Sequence, residues 1–516
     1  MSSATYETPP ELAPSEMTDD QASWPRTVGL TGFMAATVGV LILVLNAAGT
    51  TMALKFGNNV GFAAVVLGVV LMLFHAARDR DQVIRRLYGN IGGIGLPLVG
   101  VIFSLMPLMI SATAKVDEGA ARHYTSLFFP FGWACFFAGL LFLIVYCKNE
   151  TEEASRQVGL YALVGFGAAF ALTAFIFGNA VNGFVLTYGS VLALLGLAYL
   201  CAYVSQLGGA DLGGYKPALA LGALGAVVFL IALARTLIPH EQAFFIPNGL
   251  LLMALGLGYA AVALFLVSDW QLIVLTRREL AAYFYSPIAY LVLFINVLVA
   301  FLNYHLFTER LARTPMAEPI LGQFMLSTIY WAFVVVFMVP ALTMRLVSEE
   351  KRSGTYEVLM CAPVSESTVL LSKLFSGVMF YMLTWSVWGI YLLALRAEGG
   401  PPFEYRPILS FFLALLVSGF TLMSMGLFFS CLTKNQIVAA GLTFFGMLVY
   451  VALLFAGKAA RPESAQQVIF THLTFFNLWF ESIEGRVHLR DMFLQLSLTF
   501  FWYFLALKVL QARRWG

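Results

Sequence analysis

The sequence predicts an all-α polytopic membrane protein of about 14 transmembrane helices, about eight in an N-terminal module and about six in a C-terminal block, with both termini cytoplasmic. Three observations lead there. Apolar residues make up 60% of the 516 positions and charged residues only 11%, against roughly half and a quarter in soluble domains. Apolar runs of about 20 residues, enough to cross the hydrocarbon core as helices, recur along almost the whole chain. The gaps between them are too short for a soluble domain of any size.

The first 26 residues are polar, proline-containing and acidic (Glu7, Glu11, Glu16, Asp19, Asp20) and lack the basic start of a cleavable signal peptide, so a disordered cytoplasmic tail is expected over 1–26. Spans are then expected near 27–47, 58–76, 91–113, 126–147, 159–178, 184–204, 217–238 and 246–267 in the N-terminal module, 27–268. The C-terminal block, 269–516, has spans near 286–306, 324–345, 371–395, 408–431, 436–456 and 492–511. Lys and Arg favour the loops on the N-terminal side, most clearly Arg78, Arg80, Arg85 and Arg86 and the terminal Arg513 and Arg514. Lys458, Arg461, Arg486 and Arg490 run against that bias but share one longer segment, where the rule is weak. The basic loop can determine topology, anchor on anionic lipid or dock a partner. Gly89, Gly92, Gly93 and Gly95 beside it permit close helix contact. The five cysteines, Cys135, Cys147, Cys201, Cys361 and Cys431, lie in spans or on the cytoplasmic side, and no external disulfide is expected.

Charge placement narrows the function. An ionisable group at the bilayer centre costs about 2.5–3.5 kcal/mol and is usually functional. No Asp or Glu falls in the middle of an assigned span, and Arg235, Arg345, Lys373 and Lys508 lie near span ends, where long side chains reach the interface. An ion-driven carrier more often has a buried carboxylate, so the energy source is expected outside the membrane part. His75, His123, His240, His305, His472 and His488 sit near span ends or in loops, as interfacial or solvated groups, which disfavours a transmembrane haem. The only Gly-Lys pair, Gly457-Lys458, is flanked by Ala452 and Ala459 where a phosphate-binding P-loop needs Gly and Ser or Thr, so no ATP site of that kind is expected here.

The chain changes character after Ser268-Asp269-Trp270. Trp270, Ile273, Val274, Ala281 and Phe284 recur at helical spacing on one face, with Gln271, Thr276, Arg278 and Glu279 mostly elsewhere. An interfacial helix over 270–285 fits this pattern; the alternative is an extension of the preceding span, which Arg277, Arg278 and Glu279 would make expensive. Ser286-Pro287 then opens the next span, with proline in a first turn that needs no N–H.

The most informative stretch is the loop 347–369. Glu349, Glu350, Lys351, Arg352 and Glu357 keep it in water, while Tyr356, Leu359 and Met360 give a short helix an apolar face. Gly354-Thr355 can open that helix, and Pro363 turns Ala362 away from it. Such a helix suits a partner's groove; the alternative is a solvated loop.

The run Glu-Glu-Lys-Arg-Ser-Gly-Thr-Tyr-Glu-Val-Leu-Met-Cys-Ala-Pro-Val, 349–364, resembles the E-x-x-x-G-T-x-E-x-L-x-x-x-P-V signature of ABC-2 type transporter permeases. Arg278-Glu279-Leu280 with Tyr283 to Tyr290, Pro340 to Arg345, and Phe480 to Arg490 ahead of a final aromatic span resemble the gliding-motility-associated branch of that family. The resemblance covers residues 270–516. It implies a permease that binds no cofactor itself, its ATP and Mg being held by a partner ABC ATPase dimer. It implies that Glu349, Glu350, Arg352, Gly354, Thr355, Glu357, Leu359 and Pro363 belong to the coupling helix that docks the ATPase, with Arg277, Arg278 and Glu279 in the interfacial helix beside it. It also implies an external, partly helical segment over 457–490 and pairing with a second permease copy or a homologous permease chain.

The N-terminal module has no such signature. It is expected to be an accessory membrane domain, a scaffold for an auxiliary envelope subunit, or a diverged second permease half. The sequence therefore reads as a non-enzymatic transporter permease in the inner membrane of a bacterium, exporting a substrate with ATP hydrolysed on a separate subunit. Its partners would be lipid and protein, not nucleic acid. The alternatives are an ATPase-coupled scaffold of an envelope or gliding-type machine and, further off, a secondary carrier. Asn296, Asn303, Ser327 and Ser424 are positioned to line a pore or to bond between helices.

Overall fold

The computed structural model describes residues 19–47, 57–78, 81–114, 118–180, 188–207, 214–237, 249–313, 324, 337–356, 361, 363–397, 406–461 and 464–512. All the regular structure among them is helical: α1 (Asp19–Ala47), α2 (Gly57–Arg78), α3 (Gln82–Leu87), α4 (Leu96–Ala114), α5 (Glu118–Asn149), α6 (Glu153–Ala180), α7 (Ser190–Gln206), α8 (Tyr215–Leu237) and α9 (Gly249–Val267). Then follow α10 (Gln271–Phe284), α11 (Pro287–Arg313), α12 (Val339–Thr343), α13 (Ser348–Ser353), α14 (Glu366–Ala397) and α15 (Arg406–Leu432). The last are α16 (Gln436–Ala459), α17 (Ala465–Leu473), α18 (Phe475–Ile483) and α19 (Leu489–Ala512). A π-helical segment, Tyr88–Gly95, joins α3 to α4.

Eleven of these helices are long and apolar enough to cross a membrane, and two shorter apolar helices, Ala63–Arg78 and Ser190–Gln206, fall at expected spans. The remaining expected span, 324–345, lies largely outside the described residues, as do 1–18 of the acidic tail. The chain is a polytopic α-helical membrane protein. Exposed apolar side chains such as Leu230, Leu264, Phe294, Phe445 and Phe500 are what a lipid-facing surface requires, because lipid, unlike water, imposes no penalty on them.

The chain forms two compact units, Met1–Leu172 with Leu194–Gly208, and Thr173–Ala193 with Gly209–Gly516; the break expected near 268 falls inside the second. In the first, α1–α2, α4–α5 and α6–α7 are helical hairpins that cross on glycine. Gly32 meets Gly68, Gly100 meets Gly132, and Gly167 meets Gly196, each pair approaching through a backbone carbonyl. The second unit repeats the device in α8–α9, where a Cβ on Gly225 would stand 2.5 Å from the Gly256 carbonyl. Absent side chains let backbones touch, and van der Waals contact then holds helices that gain nothing from hydrophobic burial in lipid. Two of the crossings share a sequence, Gly196-Leu-Ala-Tyr199 and Gly256-Leu-Gly-Tyr259, with equivalent bonds: Tyr199 donates to the Phe136 carbonyl at 2.6 Å and Tyr259 to the Ala193 carbonyl at 2.5 Å.

The basic loop of the first unit is used internally. Arg85 donates to the Asn149 carbonyl at 3.0 Å, and Arg86 bonds Glu150 and Glu152, so these arginines clamp the α5–α6 connection. Gly89, Gly92 and Gly93 accept Tyr146, Phe142 and Leu143 of α5, the close contact expected of them. His75, expected at an interface, is instead buried: its Nδ1 lies 2.9 Å from the Tyr88 hydroxyl and its ring packs edge-on against the Tyr88 ring, a polar and aromatic partner that removes it from water.

In the second unit, the core lies among α11, α12, α14, α15, α16, α18 and α19. Its aromatic centre joins Trp385, Phe411, Phe475 and Trp479, with the two indoles edge to face at 5.6 Å and Trp479 Nε1 donating to Ser418 Oγ at 2.8 Å. This burial seats α18, part of the segment expected outside, against α14 and α15. Asp491 lies in the first turn of α19 and is buried. Asn477 Nδ2 at 3.0 Å and His472 Nδ1 at 2.8 Å reach its carboxylate. Asn296 and Asn303 bond the carbonyls of Thr384 and Phe324, each at 2.8 Å. Ser424 bonds within its own helix, and Ser327 lies outside the described residues.

Candidate functional site

The turn expected to dock a partner is built on a six-residue helix whose N-terminal end is satisfied by a residue distant in the chain. The backbone N–H groups of Val347 and Ser348 both donate to Ser430 Oγ at 3.1 Å, so α15 supplies the cap that Val347 cannot. Glu349 and Glu350 occupy the first turn of α13 and Lys351 and Arg352 the last, the order that complements the helix dipole. Gly354 then ends the helix at φ 75°, a left-handed conformation that costs a residue with a Cβ about 1–2 kcal/mol. Glycine thus closes one helix here, a role added to the expected one of opening a helix at Gly354-Thr355. Thr355 and Tyr356 are again helical, and residues 357–360 lie outside the described residues.

Lys351 is buried and donates to the Cys431 carbonyl, placing a cation at the C-terminal end of α15. Glu350 points to another body. Its Oε1 accepts from Lys373 Nζ at 2.7 Å, and the same ammonium donates to Glu279 Oε2 at 2.8 Å. Lys373 was expected near a span end with its amine at the interface. It is instead 2% exposed, because α10 and α13 each bring a carboxylate to it. Glu279 receives a second cation on its other oxygen, Arg278 at 2.7 Å. Burial pushes the Glu279 carboxyl upward, but the charges and hydrogen bonds of Lys373 and Arg278 outweigh it and hold the group below the ordinary carboxylate range.

The inward side of α10 carries polar groups, and its exposed side carries apolar side chains together with Gln271 and Arg278. Thr276, Glu279 and Tyr283 turn inward, the Tyr283 ring stacking on Phe380 at 4.7 Å and its hydroxyl donating to the Leu342 carbonyl at 3.0 Å. Trp270, Val274, Ala281 and Phe284 are exposed, an orientation suited to an apolar medium beside the protein. Arg277 does not join the carboxylates. It donates to the carbonyls of Leu266 at 2.9 Å and Ser268 at 2.6 Å, fixing the angle at which α10 leaves α9.

The expected docking residues therefore separate by role. Glu349 pairs with Arg345 at 2.7 Å and Glu350 with Lys373, whereas Arg352, Gly354 and Thr355 stand exposed on the turn, as does Pro363 beyond it. Glu357 and Leu359 lie outside the described residues. Lys373 and Ser430 had no local signature: a lysine early in an apolar helix reads as a boundary residue, and a serine in a span as an ordinary helix neighbour.

The fold and this turn define a multi-pass membrane protein whose exposed turn is braced to an amphipathic helix and to the following span. Residues 302–478, from within α11 to within α18, match the family model described as ABC-2 family transporter protein. That similarity supports the membrane permease of an ABC transporter. No curated protein and no solved structure matches the chain.

Proposed function

We propose that the chain is the membrane-spanning permease subunit of an ABC-2 type transporter, coupling ATP hydrolysis on a separate ATPase dimer to export across the cytoplasmic membrane of a bacterium. The observation that carries this reading is that the family match encloses the turn at 348–355, whose tip residues Arg352, Ser353, Gly354 and Thr355 are exposed while its base is anchored on Ser430 and Lys373. A lever needs that combination of a free tip and a fixed base. Docking the ATPase there puts α10 in the cytoplasmic interface and both termini in the cytoplasm, in line with the Lys and Arg bias. Pairing with a second permease chain completes the pathway. The gliding-motility-associated branch rests on the residues of α10, α12 and 480–490 quoted for it.

Copurification of the full-length tagged protein from mild detergent tests this reading, with ATP hydrolysis in the eluate as readout. An ABC ATPase that accompanies the parent protein and is lost with Arg352→Glu and Gly354→Pro, while both variants remain folded, supports it. Absence of any ATPase from the parent eluate sinks it.

A further inference from the structure

We propose that Lys373 is the pivot of a releasable brace, holding the 348–355 turn to α10 through Glu350, so that Glu350 serves inside the chain and not as a contact to an ATPase. Its purpose as a coupling device rests on the permease reading, while its content rests on three features of this chain.

The first is burial. Lys373 is 2% exposed and touches carboxylates from two other helices, so no partner protein can reach its ammonium without opening the cluster. The second is asymmetry. Glu279 is held on both oxygens, by Arg278 at 2.7 Å and by Lys373 at 2.8 Å, whereas Glu350 is held on Oε1 alone and its buried Oε2 has no hydrogen-bond partner among the described residues. Of the two arms, the one to Glu350 has the smaller electrostatic hold and parts first when the turn is pulled. The third is the second footing of the turn. Ser430 and the Cys431 carbonyl secure its base to α15 independently of Lys373. Breaking the Glu350 arm therefore frees the turn from α10 and α14 without detaching it from the protein, which gives two states of one segment and not an unfolded loop.

Distance measurement between nitroxide labels on the full-length protein in liposomes tests the brace without any ATPase. In a Cys361→Ser background, Ala281→Cys on the exposed side of α10 and Thr355→Cys at the turn tip form the reporting pair; Ala281→Cys with Ser365→Cys, before α14, forms the control. The parent is expected to give one narrow distance for each pair. Glu350→Gln is expected to add a longer component to the 281–355 distribution and leave 281–365 unchanged. Lys373→Arg, which keeps the cation, is expected to retain the narrow 281–355 distance that Lys373→Met loses. An unchanged 281–355 distribution in Glu350→Gln, or equal broadening of both pairs, overturns the proposal. Either result leaves ATPase copurification untouched, so the brace and the permease reading fail separately.

Discussion

Lys373 Nζ donates to Glu279 Oε2 at 2.8 Å, joining residues 94 positions apart at a site 2% exposed. A buried ion pair of this kind is weak evidence for net stability, since desolvation offsets much of its Coulomb energy, but removing one partner strands the other. Lys373→Met leaves two carboxylates facing each other and is expected to cost roughly 3–5 kcal/mol. The neutral triple variant Lys373→Met, Glu279→Gln, Glu350→Gln should recover most of that loss. Thermal unfolding in detergent measures both; a triple variant as unstable as the single one would contradict the account.

The depressed Glu279 carboxyl sets the sign of a pH dependence. Its folded value lies below the unfolded value of about 4.3, so its contribution is complete above that value and is lost as pH falls through the folded one. Acidification below about pH 4.3 should therefore lower the melting temperature, and Glu279→Gln should flatten that acid limb relative to the parent. Parallel acid limbs in the two proteins would rule Glu279 out as the responsible group.

Gly354 sits at φ 75°, and among the described residues nothing stands where a Cβ would go, so the penalty of substitution is conformational. Gly354→Ala is expected to cost about 1–2 kcal/mol locally and Gly354→Asn less. Faster tryptic cleavage after the exposed Arg352 in the alanine variant, with global melting little changed, is the expected signature.

The crossing of α8 and α9 makes a sharp contrast between neighbouring glycines. Gly225→Val would drive side-chain atoms into the Gly256 carbonyl, and an overpacking cost of about 1–3 kcal/mol or a shifted hairpin is expected. At Gly258, two residues from Gly256, an added Cβ would meet nothing within 4 Å among the described residues, and Gly258→Ala should be neutral or slightly stabilising. Melting temperatures of the two variants decide the matter.

Tyr199→Phe and Tyr259→Phe each remove a buried hydroxyl bonded to a carbonyl, at 2.6 Å and 2.5 Å, and keep the ring. Each is expected to cost about 1 kcal/mol, with the effects additive because the sites share no partner. Hydrogen exchange at α5 and α7 would rise locally with the respective substitution.

Apolar composition and the length of the runs determined by themselves that this chain crosses the membrane many times as helices, because lipid leaves no other way to satisfy so much backbone. The alternation of charged and apolar residues over 270–285 and 347–363 likewise marked the amphipathic helix and the exposed turn. The tertiary structure decided which charges face a partner and which face each other. Glu349, Glu350, Lys351 and Arg352 are consecutive and look alike in sequence, yet one pairs with Arg345, one with Lys373, one with a carbonyl of α15, and Arg352 stands exposed. The glycines that cross the hairpins are likewise indistinguishable in sequence from Gly165 or Gly258, where an added Cβ would meet nothing among the described residues. Both distinctions depend on where a helix distant in the chain comes to lie. Periodicity reports the face a residue occupies, and only the packed backbone supplies what stands opposite that face.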